Sequence, residues 1–219
     1  LITYRETALL VDEKNTSAST KQWVALVVAH ELSHQWFGNL VSPDWWEWLW
    51  LNEGFATWVE YKAIDYLYPE WNVFEQFVHD DFCRALQLDA LVSSHPIEVK
   101  IKRAEEVDEV FDAISYSKGC AVIRMITNFL GMEDFRKGLL IYLERHKYKC
   151  ATANDLWQAL EEASGKSVKA IMESFTLQIG YPVVTVTELP SASSGKKRFL
   201  LEQYRYLDSG KPENDPLTW

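Results

Sequence analysis

Two stretches decide how this chain is read: His30-Glu31-Leu32-Ser33-His34 and, with eighteen residues between His34 and Glu53, Asn52-Glu53-Gly54. On a helix, a spacing of four places both imidazoles on one face, a turn apart, where they can grip a single cation. Glu31 stands about 100 degrees around the helix from His30, so it can face the cation's open side as a base without becoming a ligand. Catalytic zinc takes three protein ligands and leaves a fourth place to water, and two histidines plus a carboxylate are one of its usual sets. Glu53 is the candidate third ligand.

His-Glu-x-x-His also arises by chance in unrelated helices, so its surroundings matter. Trp23-Val24-Ala25-Leu26-Val27-Val28-Ala29 before it and Trp36-Phe37 after it are apolar. The helix is therefore expected to be buried, where unpartnered imidazoles are costly. Ser19-x-x-Gln22 reads as a capping box ahead of this run and Gly38 as its stop. Glu53 falls inside a second helical pattern, Trp50 to Tyr68, with Leu51, Phe55, Trp58 and Val59 at helical spacing and Pro69 at its end. A lone carboxylate buried there needs a partner. Glu60, two turns beyond Glu53, reads either as a carboxylate orienting a ligand histidine or as a solvated surface group.

These residues, with Trp36-Phe37-Gly38-Asn39-Leu40-Val41, Trp45-Trp46-x-x-Leu49-Trp50-Leu51-Asn52-Glu53-Gly54-Phe55-Ala56 and Asp112-Ala113-Ile114-Ser115-Tyr116-Ser117-Lys118-Gly119, resemble the gluzincin aminopeptidases of the M1 type. The likeness is strongest to the puromycin-sensitive, cytosolic branch and fades after about Thr187. The resemblance implies a zinc-dependent aminopeptidase acting on peptides with a free N-terminus. In it, Zn2+ is held by His30, His34 and Glu53, and Glu31 is the general base. Tyr116 matches the tyrosine whose phenol steadies the oxyanion formed at the scissile carbonyl. In that family a Gly-x-Met-Glu-Asn segment holds the substrate's amino group just upstream of the strand matching Ile2 to Thr7. The chain is therefore expected to be an N-terminally truncated piece. A non-catalytic zinc-binding or partner-binding product and a thermolysin-type endopeptidase are the competing expectations.

Bulk properties narrow the field. With 219 residues the chain can bury a substantial core, and 47% apolar content with ten tryptophans excludes a disordered polypeptide. A net charge of −10 argues against nucleic acid or an anionic membrane as the main partner. Cys83, Cys120 and Cys150 are odd in number and in no metal-binding spacing, which suits reduced, buried thiols in a cytoplasmic protein. The longest apolar run is seven residues, too short to span a bilayer, and no signal peptide is visible.

Along the chain, Leu1 to Asp12 is β-prone and Ser42-Pro43-Asp44 is a corner between the two ligand helices. The cluster Trp45-Trp46-x-Trp48-x-Trp50 reads as a packed core seam, with a substrate-facing ring as the sharper alternative. Val73 to Leu88 continues the helical pattern through Phe74, Phe77, Val78 and Phe82, and Asp89 to Lys102 is a loop in which His95 is structural or lines a pocket. Helices are expected at Ala121 to Leu130, Glu133 to His146, Thr152 to Ser164 and Ser167 to Ile179, with stops at Gly131, Gly165 and Gly180. His79 and His146 are expected to be solvated. After Tyr181-Pro182 the pattern turns to strands, Val183 to Thr187 and Arg198 to Tyr206, joined by a Pro/Ser/Gly-rich loop. The expected architecture is mainly α: residues 1–180 form a thermolysin-like catalytic domain with only a remnant of the β-lobe, and 181–219 open a β-sandwich domain. The strand pair is expected to be poorly held unless it packs on the helical lobe.

Overall fold

The computed structural model describes residues 1–190 and 196–219. It is mainly α. In chain order the regular elements are α1 (Ala18–Ser33), β1 (Val41–Pro43), α2 (Trp50–Leu67), α3 (Val73–Phe77), α4 (Cys83–Asp89), α5 (Gly119–Leu130), α6 (Met132–His146), β2 (Lys149–Ala151), α7 (Ala153–Ser164), α8 (Lys169–Thr176), β3 (Pro182–Leu189) and β4 (Arg198–Arg205). Single π-helical turns, Val78–Phe82 and Ile114–Lys118, join α3 to α4 and lead into α5.

Helix α2 is the centre of the molecule, packing against α1, α5 and the Ile114–Lys118 turn, while α6 pairs with α7. Its long run of buried side chains, from Trp50 through Phe55 and Trp58 to Ile64, explains why it forms here. Trp50 stacks on Trp157 with centroids 5.6 Å apart, and Phe55 lies between Phe37 at 4.5 Å and Phe135 at 6.5 Å. Burying each such ring stabilises the fold by about 1.5–3 kcal/mol.

Contact between α2 and α5 is backbone on backbone. A Cβ at Gly54 would stand 3.1 Å from the Gly119 carbonyl carbon and 3.2 Å from its Cα. Only glycine at both positions permits this approach. It places the start of α2 directly beside the turn that carries Tyr116.

Several boundaries differ from the expectations. Helix α1 begins earlier, with Ser17 as its N-cap accepting from the Thr20 N–H at 3.2 Å, and ends at Ser33 rather than at Gly38. It is not buried: only Val24 and Ser33 are, because α2 covers one face and the remainder meets solvent and two cavities. The tryptophan cluster is a core seam only in its second half, where Trp48 packs against the core that contains Trp50. Trp50 is fully buried, but Trp45 and Trp46 are exposed, turned outward by extended backbone at Trp45 and a 3-10 turn at Trp46–Trp48. Leu1 to Asp12 forms no strand, having no pairing partner among the described residues, and folds only as a 3-10 turn at Glu6–Ala8. Of the cysteines only Cys120 is buried; all three are free.

The helical half follows the reading closely. Thr152 and Asp155 form a reciprocal cap at the start of α7, with the Thr152 N–H donating to Asp155 Oδ2 at 2.8 Å, and Gly165 ends the helix at φ +67°. Helix α8 is shorter than expected, Lys169 to Thr176, and Ser167 does not cap it. Strands β3 and β4 pair antiparallel from Pro182↔Arg205 to Leu189↔Arg198; the expected loop between them falls largely on 191–195, outside the described residues. The base of this hairpin is held on the helices. Arg205 is buried and donates to the Leu91 carbonyl at 2.8 Å, and the Asp208 N–H donates to the Ala90 carbonyl at 3.0 Å.

Candidate metal centre

The last turn of α1 and the first turn of α2 bring His30, His34 and Glu53 together, with their donor atoms all within 4.8 Å of one another. His30 Nε2 lies 3.1 Å and His34 Nε2 3.5 Å from the same Glu53 oxygen, Oε2. Donors held at zinc bond lengths of 2.0–2.1 Å in a tetrahedron stand about 3.3 Å apart, so these separations fit that ion. Ring orientation agrees. His30 Nδ1 faces Glu60 Oε2 at 2.6 Å and His34 Nδ1 faces the Phe37 carbonyl at 2.9 Å. Both partners accept, so each Nδ1 carries a proton and each Nε2 is directed at the centre, where it faces Glu53 and would offer its lone pair to a cation once its own proton is displaced.

Electrostatics at the cluster are strongly coupled. Burial disfavours charge on His30, but hydrogen bonds and charge from Glu53 and Glu60 outweigh it and raise its pKa to about 10. Burial likewise opposes a charge on Glu53, yet the two histidines hold it down at about 2. The pocket thus favours one carboxylate facing concentrated positive charge, which a divalent cation supplies in place of protons.

Glu31 is half-buried and borders both cavities that flank the cluster. One, of about 310 Å³, is walled by Trp23, Val27, His30 and Tyr116. The other, of about 370 Å³, is walled by Thr3, His34, Asn52 and Glu53. Tyr116 stacks over His30 with centroids 6.0 Å apart and planes 8° from parallel. Its phenol pKa is raised by burial and by the negative charge of Glu53, so it keeps its proton at neutral pH.

All five residues singled out in the sequence therefore meet at one place. Glu60 is buried against His30 and is not a solvated surface group. His95 stands apart, bonded to Asp112 at 3.0 Å. His79 is solvated as expected, whereas His146 is largely buried, its ring 5.5 Å from that of Tyr142. Sequence spacing gave no sign of the contacts that Asp81 makes with Tyr61 and Ser117, which tie α2 to the Tyr116 turn from below.

Comparison with known proteins bears on this centre. The Peptidase family M1 domain matches residues 1–175. This chain belongs to peptidase family M1. Among relatives, Aminopeptidase M1-A of Oryza sativa subsp. japonica is 56% identical over 210 residues, 96% of this chain and 23% of that protein. Aminopeptidase M1 of Arabidopsis thaliana is 56% identical over 212 residues, 97% of this chain and 23% of that protein. Aminopeptidase 2, mitochondrial, of Saccharomyces cerevisiae is 50% identical over 217 residues, 98% of this chain and 22% of that protein. The chain spans about a quarter of the length of the curated relatives it matches. The M1 match ends inside α8, but the relatives continue through the β3–β4 hairpin. No helix among the described residues is long and apolar enough to cross a membrane.

Proposed function

We propose that this chain carries the catalytic centre of a zinc aminopeptidase that removes N-terminal residues from peptides. The observation that supports this most directly is the convergence of two Nε2 atoms and one carboxylate oxygen at separations suited to a tetrahedral ion. His30, His34 and Glu53 would hold the metal. A zinc ion bound there would supply Lewis-acid chemistry, polarising the scissile carbonyl and acidifying a nearby water. Glu31, open to both cavities, accepts the proton of the attacking water and delivers it to the departing amine. Tyr116 donates its phenol proton in a hydrogen bond to the carbonyl oxygen as negative charge grows there. Glu60 and the Phe37 carbonyl fix the tautomer and tilt of the two imidazoles.

The peptide substrate with a free amino group rests on the names of the relatives. Residues 1–180 are read as the catalytic domain and 181–219 as the opening of a β-sandwich, a division supported by the change from helices to hairpin at Gly180. Three free cysteines, two of them exposed, suit a reducing compartment such as the cytoplasm.

The test is metal content together with hydrolysis of an aminoacyl amide and of its N-acetylated twin by the full-length protein. Cleavage of the free-amine substrate alone is expected. Glu31→Gln should keep its zinc and lose turnover by roughly a hundredfold or more. Full turnover in that variant would overturn the role of Glu31, and cleavage of both substrates would overturn the exopeptidase reading.

A further inference from the structure

The turn that carries Tyr116 is an irregular element held from outside. Residues Ile114–Lys118 form one π-helical turn in which the Lys118 N–H reaches back to the Ala113 carbonyl at 3.0 Å. Such turns are less stable than α-helix and persist where neighbouring contacts enforce them. Here a single stretch, 89–95, grips both ends. At the C-terminal end the Lys118 ammonium meets the buried Asp89 carboxylate at 2.6 Å. At the N-terminal end Asp112 caps the turn: its Oδ1 accepts from the Ile114 N–H at 2.9 Å and the Ser115 N–H at 3.3 Å, and its carbonyl accepts from the Tyr116 N–H at 3.1 Å.

Asp112 is itself fixed by His95. His95 Nε2 meets Asp112 Oδ2 at 3.0 Å, and His95 Nδ1 meets the Pro96 carbonyl at 2.7 Å. Neither partner can donate, so both contacts are hydrogen bonds when each ring nitrogen carries a proton. Ser94, next in the chain, donates to Asp89 Oδ1 at 2.8 Å, which joins the two grips into one cradle. Each carboxylate oxygen of Asp112 thus has its own task, one toward the turn and one toward His95. Rotation of the carboxylate about χ2 would release the turn's first two N–H groups together.

We propose that His95 and Asp112 are a positioning pair that sets where the Tyr116 phenol stands over the metal cluster. The proposal rests on the reading of Tyr116 as the oxyanion donor. His95 touches neither metal ligands nor the flanking cavities. Its influence runs through the Asp112 carboxylate to the backbone of the turn, and from there to the phenol. A displacement of about 1 Å at a catalytic group costs on the order of a hundredfold in rate, so small tilts of this turn are felt in kcat.

The experiment uses the full-length, zinc-loaded protein and an aminoacyl amide. His95→Ala and Asp112→Asn are expected to lower kcat by roughly ten- to a hundredfold, with KM and zinc content unchanged. His95→Gln, which can still donate to Asp112, should recover part of that loss, and also serves should His95→Ala not fold. The decisive readout is the same substitution made on Tyr116→Phe. With the phenol hydroxyl gone, removing His95 should lower kcat by less than about twofold, since coupled residues do not add. An equal loss in both backgrounds, or wild-type kcat in His95→Ala, would overturn the pair's role. If Tyr116→Phe alone left kcat intact, the reading of Tyr116 would fall first and the pair's role with it.

Discussion

Gly54→Ala tests whether the close approach of α2 and α5 is what assembles the site. The added methyl carbon would lie 3.1, 3.2 and 3.4 Å from three backbone atoms of Gly119 and Cys120. None of these belongs to a side chain that can swing away, so one helix must move by a few tenths of an ångström. Overpacking of this kind costs about 1–3 kcal/mol, and three backbone contacts place it toward the upper end. Alanine returns about 1 kcal/mol through its better helix propensity. The net expectation is a loss of about 1–2 kcal/mol. With a urea m-value of about 2 kcal/mol/M for a protein of this kind, the midpoint should fall by about 0.5–1 M at unchanged m. Zinc affinity should fall as well, since Glu53 precedes the substituted position. An unchanged or raised midpoint would refute the reasoning, because it would mean that the helices are not in backbone contact at Gly54.

Thr152→Ala removes one side of the reciprocal cap on α7. It should cost about 1 kcal/mol, and Thr152→Ser much less, measured as unfolding midpoints. Phe135→Ala, which empties a fully buried site against Phe55 and Trp58, should cost about 3–5 kcal/mol by urea unfolding. The His95–Asp112 pair predicts a pH window for stability. The Asp112 hydrogen bond, with charge from Asp112 and Asp89, raises the His95 pKa above 6.5; His95 in turn lowers that of Asp112 below 3.8, against its burial. A raised histidine gives stability that is complete below 6.5 and fades as pH climbs through the folded value; a depressed aspartate gives stability that is complete above 3.8 and fades as pH drops through its folded value. Relative to His95→Gln, the wild type should therefore hold its largest advantage between those limits and lose it on the alkaline side, as read from unfolding midpoints across pH.

The metal cluster was legible because helix geometry makes a spacing of four residues into a common face, and because a carboxylate in an otherwise apolar helix demands a partner. Helices α2, α6 and α7 were legible for the same reason, with Thr152, Gly131 and Gly165 marking their ends. The two π-helical turns were not: an extra residue in a turn leaves composition and apolar count unchanged, yet it shifts every later side chain around the axis. Val78, four positions after Phe74 and the first residue of one such turn, is exposed. Exposure of Trp45 and Trp46 was hidden for a related reason, since an apolar cluster looks the same whether its backbone turns the rings inward or outward. Burial of α1 was overestimated because hydrophobicity says how much surface a helix could hide and not whether a neighbour is there to hide it. The His95–Asp112 contact joins two loop residues seventeen positions apart, with no periodicity to announce it.

Zinc X-ray absorption on the metal-loaded, full-length protein, repeated with Glu53→Ala, measures the central geometry most directly. The expected spectrum shows one ion per chain with nitrogen and oxygen neighbours at about 2.0–2.1 Å and no sulfur at about 2.3 Å. Glu53→Ala should remove an oxygen neighbour and weaken zinc retention. A sulfur shell, or an identical spectrum and affinity without the Glu53 carboxylate, would contradict the assignment of His30, His34 and Glu53 as the site.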